Sequence, residues 1–291
     1  MKYILFLILF SSTLLGLSQD NSTSLNKKRL HTVYGIQATS YAIGLIGMNE
    51  LWYKNSPQTN FHWFNDNNEW LQVDKVGHLY STFQLSRINT AAFQWTGLST
   101  KQAAIRGTSI SWIMISSIEL LDGFATDYGA SAGDLLANTL GAGIALGQYL
   151  AWNEIKIQIK YSFHSTSYAK KREELLGENA LQEPFKDYNG QTYWLSGNIY
   201  SLTKSKKIPD YINLALGYGA QDMISADREV NESLGYSPYR KYFLSLDLDF
   251  EKLKGKKKGI NTLLYLLNAI KLPFPTLEYS KHGLTFHPIY F

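Results

Sequence analysis

The 291 residues contain no cysteine. That excludes a disulfide framework and any thiolate metal site, and it leaves no thiol to carry the lipid of a lipoprotein. A large excess of one charge is missing too: 28 Lys and Arg against 24 Asp and Glu give a net charge of only +4. The basic residues are interleaved with acids and no recognition motif accompanies them, so a nucleic-acid partner is excluded. Glu-x-x-His pairs, by which helical bundles hold two metals, do not occur. Strand candidates are also too few for a membrane barrel, which needs about eight.

What is present begins with Met1 and Lys2 ahead of an uncharged apolar stretch over residues 3–17, with Gly16 and Ser18 as the small residues a signal peptidase needs. Residues 1–18 read as a signal peptide; the alternative, an uncleaved anchor, has a short apolar run for a span. The expected location is the bacterial cell envelope, exported and membrane-associated, at the outer membrane or the periplasmic face. Residues 19–31 form a polar, flexible lead-in.

Four helical stretches with few charges follow, at 32–52, 74–95, 101–121 and 131–152: the first has only Glu50, the third is uncharged between Arg106 and Glu119, and the fourth has no charge after Asp134. Their lengths suit a bilayer crossing or a wholly buried helix. In the last of them Gly133, Ala137, Gly141 and Ala145 recur every four residues, a ridge that lets helices approach closely in membranes and, alternatively, in soluble bundles. The expected fold is mainly α, a membrane-associated four-helix hairpin bundle with transmembrane helices over 32–152, joined by a charged connector (153–190) to a mixed α+β extension (191–291). In that extension 212–219, 242–250 and 286–291 read as strands and 262–270 as a short apolar helix. The alternation of Leu244, Leu246 and Leu248 with Ser245, Asp247 and Asp249 predicts one wet strand face. Lys252, Lys254, Lys256, Lys257 and Lys258 would suit anionic lipid head groups or form a plain solvated turn.

The residues with chemistry to offer are polar groups set in apolar helices. Asp74 and His78 are i, i+4; Glu119 and Asp122 are i, i+3; Asp134 and Asn138 are i, i+4, with Ser131 just before them. If the second and third helices form a hairpin, His78 lies about 26 Å from its near end and Glu119 about 27 Å, at one level. Glu50, Asp74, Asp122 and Asp134 fall at the same end. So many carboxylates need a cation nearby, be it Lys75, Arg87, Arg106 or a metal.

Three readings of the cluster stand open. It is a hydrogen-bonded network tying helix ends together; or a divalent metal site with oxygen from Asp74, Glu119, Asp122 and Asp134 and nitrogen from His78; or an acid–base site in which Asp74 orients His78 to activate water or Ser131, with Asn138 assisting. A structural or interaction role in the envelope is the preferred function, and a membrane-embedded hydrolase or lipid-modifying enzyme the alternative. The partners expected are membrane lipid or another envelope protein; no substrate is specified, and no cofactor beyond the divalent metal.

Asp74, Lys75, Val76, Gly77 and His78, together with Glu119, Asp122, Gly129, Ala130, Ser131, Gly133, Asp134, Asn138 and Gly141, resemble the uncharacterised bacterial envelope family of YfiM-like predicted lipoproteins, a domain of unknown function, over about residues 30–152. The Asp-Lys-x-x-His and Asp-x-x-x-Asn-x-x-Gly elements are also similar, more weakly, to VanZ-like membrane proteins. The resemblance implies an envelope location and helical hairpins, and transfers no reaction. The chain departs from the lipoprotein members in lacking a cysteine at the cleavage site.

Overall fold

Side-chain caps decide where three of the four long helices begin. Asn26 accepts from the Arg29 amide at the head of α1 (Lys27–Met48). The second helix, α2 (Val73–Trp95), starts differently: Trp70, Leu71 and Gln72 all stand in left-handed backbone, with φ of 47°, 49° and 64°. That costs about 1–2 kcal/mol per residue. The Tyr218 hydroxyl, donating to the Leu71 carbonyl, and the stacking of Trp70 on Tyr188 at 4.6 Å hold the turn in place. Ser99 caps α3 (Thr100–Gly123) through the Gln102 amide, and Ser131 caps α4 (Ala132–Trp152) through the Asp134 amide.

The computed structural model describes residues 24–53, 56–200, 207 and 209–291. The expected signal peptide, residues 1–18, and the first residues of the lead-in lie outside them. The chain forms two units, one of residues up to 67 with 78–155, the other of residues 68–77 with 156–291.

The helical unit keeps polar side chains inside. On α2 the run Tyr80–Thr90 is buried throughout, including Ser81, Thr82, Gln84, Ser86, Arg87 and Asn89. Gln37 of α1 donates to Asn89, and Asn89 donates to Ser111 of α3, so one amide links three helices. The buried stripe of α4 is Asp134, Ala137, Asn138, Gly141, Ala142 and Ala145, while Leu136 and Leu140 are exposed. Small residues sit inside because backbones meet there. A Cβ on Gly141 would lie 2.3 Å from the Leu79 carbonyl oxygen of α2, whereas one on Gly143 would meet nothing within 4 Å. Gly141→Ala is therefore expected to lower the urea midpoint by the equivalent of about 1–3 kcal/mol, and Gly143→Ala to raise it by up to about 1 kcal/mol.

The second unit corrects the expected fold class. Six strands, β1 (Ile157–Phe163), β2 (Gln191–Asn198), β3 (Ile212–Gln221), β4 (Tyr239–Leu248), β5 (Phe274–Ser280) and β6 (Gly283–Tyr290), form one antiparallel sheet in sequence order. The protein is α+β and not a mainly α four-helix hairpin bundle with a small mixed tail. The expected transmembrane helices are corrected as well: no helix among the described residues is long and apolar enough to cross a membrane. Ser, Thr, Gln, Asn and Gly dilute the apolar content of every long helix, and α2 adds Asp74, Lys75, His78 and Arg87.

The sheet rolls on itself. Ala269 and Lys271, just before β5, hydrogen-bond across to Tyr161 on the edge strand β1. Tyr290 of β6 packs on Trp194 of β2 and Phe243 of β4, with its hydroxyl 3.1 Å from Thr192 Oγ1. Inside the roll the Lys160 ammonium of β1 meets the Asp247 carboxylate of β4 at 2.7 Å, both wholly buried. The expected alternation in β4 is present, with one exposed face, and the leucines occupy it: Ser245 and Asp247 face inward, and Leu244 and Leu246 are exposed. The ion pair fixes the sense, because Asp247 must face inward to meet the buried Lys160.

Burial, with Lys241 and His287 adding positive charge, pushes the His164 imidazole down to about 4, against a hydrogen bond at the Phe291 backbone that raises it. Between about 6.5 and 4 the unfolded chain holds a proton here that the folded chain does not, so stability falls as pH drops through that window. His164→Gln is expected to remove about 1–2 kcal/mol of the wild-type loss between pH 7 and pH 4.5, read from urea midpoints at both pH values. An identical acid loss in the two proteins would show that His164 does not titrate this way.

Candidate metal centre

Helix α2 presents His78 from its second turn, α3 brings Glu119 from its last, and α4 brings Asp134 and Asn138 from its first two. All four are buried. His78 Nδ1 lies 3.3 Å from Asn138 Oδ1 and 3.7 Å from Glu119 Oε1; His78 Nε2 lies 3.5 Å from Asp134 Oδ1. Thr82, one turn after His78, donates to the same Asn138 oxygen at 3.0 Å.

The orientation of the Asn138 amide selects a tautomer. Asn138 Oδ1 can only accept, so Nδ1 carries the proton and a neutral His78 keeps its lone pair on Nε2, toward Asp134. A histidine anchored through one nitrogen with the other turned toward a carboxylate is the arrangement that metal sites use. The separation fits as well: two ligands about 2.1 Å from a tetrahedral ion stand about 3.4 Å apart. Asn138 Nδ2, fully buried, has no hydrogen-bond partner among the described residues.

The remaining candidates surround this core. Ser131 caps α4 and donates to Asp66 Oδ1 at 2.6 Å, while its amide donates to Glu119 Oε2 at 3.3 Å. With its hydroxyl engaged twice, Ser131 supports the helix start, and Ser131→Ala is expected to cost about 1–2 kcal/mol in a thermal or urea melt. Asp122 accepts from the Tyr53 hydroxyl at 2.7 Å. Burial first, then the Asp122 charge, raises the Tyr53 phenol far above its usual range, and the same two causes push Tyr128 up to about 12. Both phenols therefore stay protonated at neutral pH. Glu50 is exposed on a π-helical turn, Asn49–Tyr53.

Asp74 lies one turn before His78 on the same face of α2. It belongs to the sheet unit, where Tyr188 donates to its Oδ1 at 2.8 Å and Lys75 stands 3.6 Å from its Oδ2. Thr82 could have been found from its i, i+4 spacing to His78. Asp66 and Tyr53 carry no such signal, because they reach the cluster from a loop and from a turn.

Residues 61–150 match a family model, Predicted periplasmic lipoprotein (DUF2279). This bears out the likeness to predicted envelope lipoproteins drawn from the motifs. The matched segment covers about a third of the chain and includes Asp66, Asp74, His78, Glu119, Asp122, Ser131, Asp134 and Asn138, while α1 and all six strands fall outside it. The match supports an exported, membrane-associated location in the cell envelope. Comparison with the curated proteins and with the solved structures finds no match.

Proposed function

We propose that this envelope protein binds a divalent cation in its helical unit, and that the ion has a structural role, clipping the helix starts together. The observation that carries the reading is the placing of the buried His78 ring between Asn138 Oδ1 at 3.3 Å from Nδ1 and Asp134 Oδ1 at 3.5 Å from Nε2. His78 and Asp134 would be ligands, and Glu119 would balance charge from α3. One imidazole with carboxylate oxygens suits a borderline divalent ion such as zinc or manganese.

A second reading has its own support. Both ring nitrogens of His78 face carboxylates, so a doubly protonated His78 could bridge Glu119 and Asp134 with no ion at all. Metal analysis separates the two. The purified full chain, incubated with zinc or manganese and desalted, should retain a stoichiometric amount of ion. The His78→Ala, Asp134→Asn double variant should retain none. Equal content in both proteins would overturn the cation reading and leave the network.

A further inference from the structure

The rolled sheet holds an aromatic cluster of Trp194, Phe243 and Tyr290 together with buried polar and charged side chains inside, and carries apolar side chains on its exposed face, where a sheet packed in water shows polar ones. Across its outer face one lateral row runs through five strands: Leu195 pairs with Leu216, Leu216 with Leu244, Leu244 with Leu277, and Leu277 with Phe286. All five side chains are exposed, from 38% at Leu277 to 60% at Phe286. At about 4.8 Å per strand the row is about 19 Å wide. Tyr242, Tyr279 and Leu284 form part of a second exposed row beside it. Monomeric proteins in water rarely keep so continuous an apolar surface open.

A second feature of the same unit says what covers it. Helix α5 (Lys258–Leu267) has no buried residue and shows Ile260, Leu263 and Leu267 on one face. Exposed lysines at 252, 256, 257 and 258 lead into it. An apolar helical face with a lysine cluster at its start is the chemistry that settles at a bilayer surface bearing anionic head groups. A soluble protein partner would have no need of that charge beside an apolar face.

We propose that the outer face of the sheet, with α5, is a lipid-contacting surface: the Leu195–Phe286 row meets acyl chains and the lysines meet anionic head groups. Because the chain has no cysteine, a single introduced thiol can be labelled uniquely. An environment-sensitive fluorophore at Leu216→Cys or Leu246→Cys should shift its emission to the blue when vesicles of phosphatidylcholine and phosphatidylglycerol are added. The same label at Glu229→Cys, on the exposed short helix Arg228–Ser233, should not shift.

Flotation of the full chain with these vesicles supplies the second measurement. The Leu216→Glu, Leu244→Glu, Leu277→Glu variant should lose at least about tenfold in bound fraction, since charge on a lipid-facing strand is strongly disfavoured. Its melting temperature should stay near wild type, because these side chains are exposed. Lys256→Glu, Lys257→Glu, Lys258→Glu should weaken binding to anionic vesicles and leave pure phosphatidylcholine unaffected. Absence of wild-type flotation, equal flotation of the Leu→Glu variant, or no blue shift would overturn the proposal. So would a wild-type dimer that the Leu→Glu changes dissolve without any vesicle binding, which would make the face a protein interface.

Discussion

Asp247→Ala should destabilise the protein by about 3–5 kcal/mol, the range for breaking a buried ion pair by deleting one partner. The Asp247 carboxylate holds Lys160 at 2.7 Å and accepts from Ser196 Oγ at 2.6 Å, with no access to water. Without it, Lys160 retains the Leu248 carbonyl at 2.7 Å but loses the carboxylate that contacts its ammonium. Lys271 suffers as well. Burial already pushes that ammonium down to about 8, with Asp247 as the opposing influence, so its removal drives Lys271 lower still. The double change Lys160→Met, Asp247→Leu takes out both charges with apolar groups of similar size and should return most of the lost stability. Urea midpoints of the two variants read the effect directly. A cost below about 1 kcal/mol for Asp247→Ala would mean that the interior of the roll is wet.

The second large effect concerns the cation. An ion that binds only the folded chain stabilises it by about 2.7 kcal/mol at one hundred times its dissociation constant. Adding zinc or manganese at that excess should therefore raise the melting temperature, and a chelator should reverse the rise. In His78→Gln the imidazole nitrogen is gone while the volume is nearly kept, so the rise should vanish. Glu119→Gln tests the same account from α3. It keeps a hydrogen-bond acceptor for the Ser131 amide and removes only the charge, so the ion should bind more weakly without being lost. Equal metal-induced shifts in wild type and His78→Gln would place the ion elsewhere.

The helices were legible in the sequence because their caps and charge gaps are local signals. The ends of α2, α3 and α4 lie within two residues of those read from the pattern, and Ser99 and Ser131 mark two of the starts. The first helix begins five residues earlier than expected, since Lys27, Lys28 and Arg29 looked like a polar lead-in and are instead its first turn. The rise arithmetic that put His78 and Glu119 at one level corresponds to a 3.7 Å approach. What it could not supply was rotation about each helix, which is why Asn138, counted with the acids, turns out to anchor the imidazole, and why Thr82 and Asp66 were missed.

The sheet was poorly legible for a physical reason. Strands are recognised by apolar residues expected to face a core, and here many inward positions, Lys160, Ser196, Asn198, Ser245 and Asp247 among them, are polar beside the Trp194, Phe243 and Tyr290 cluster. In β1 Lys160 sits at an inward position, so the strand looked like part of a charged connector; β2 carries Ser196 and Asn198 inward and was not seen either. The alternation in β4 was visible, but its sense depended on Lys160, almost ninety residues earlier. A long-range ion pair leaves no local trace in either strand. The same inversion recurs in α4, where Leu136 and Leu140 point out and Asp134 and Asn138 point in.

X-ray absorption of the zinc-loaded full chain tests the cation account most directly. The account predicts a first shell of oxygens with one imidazole nitrogen at about 2.0–2.1 Å, and loss of that nitrogen contribution in His78→Gln. An all-oxygen shell in the wild type, or a shell unchanged by the substitution, would contradict it.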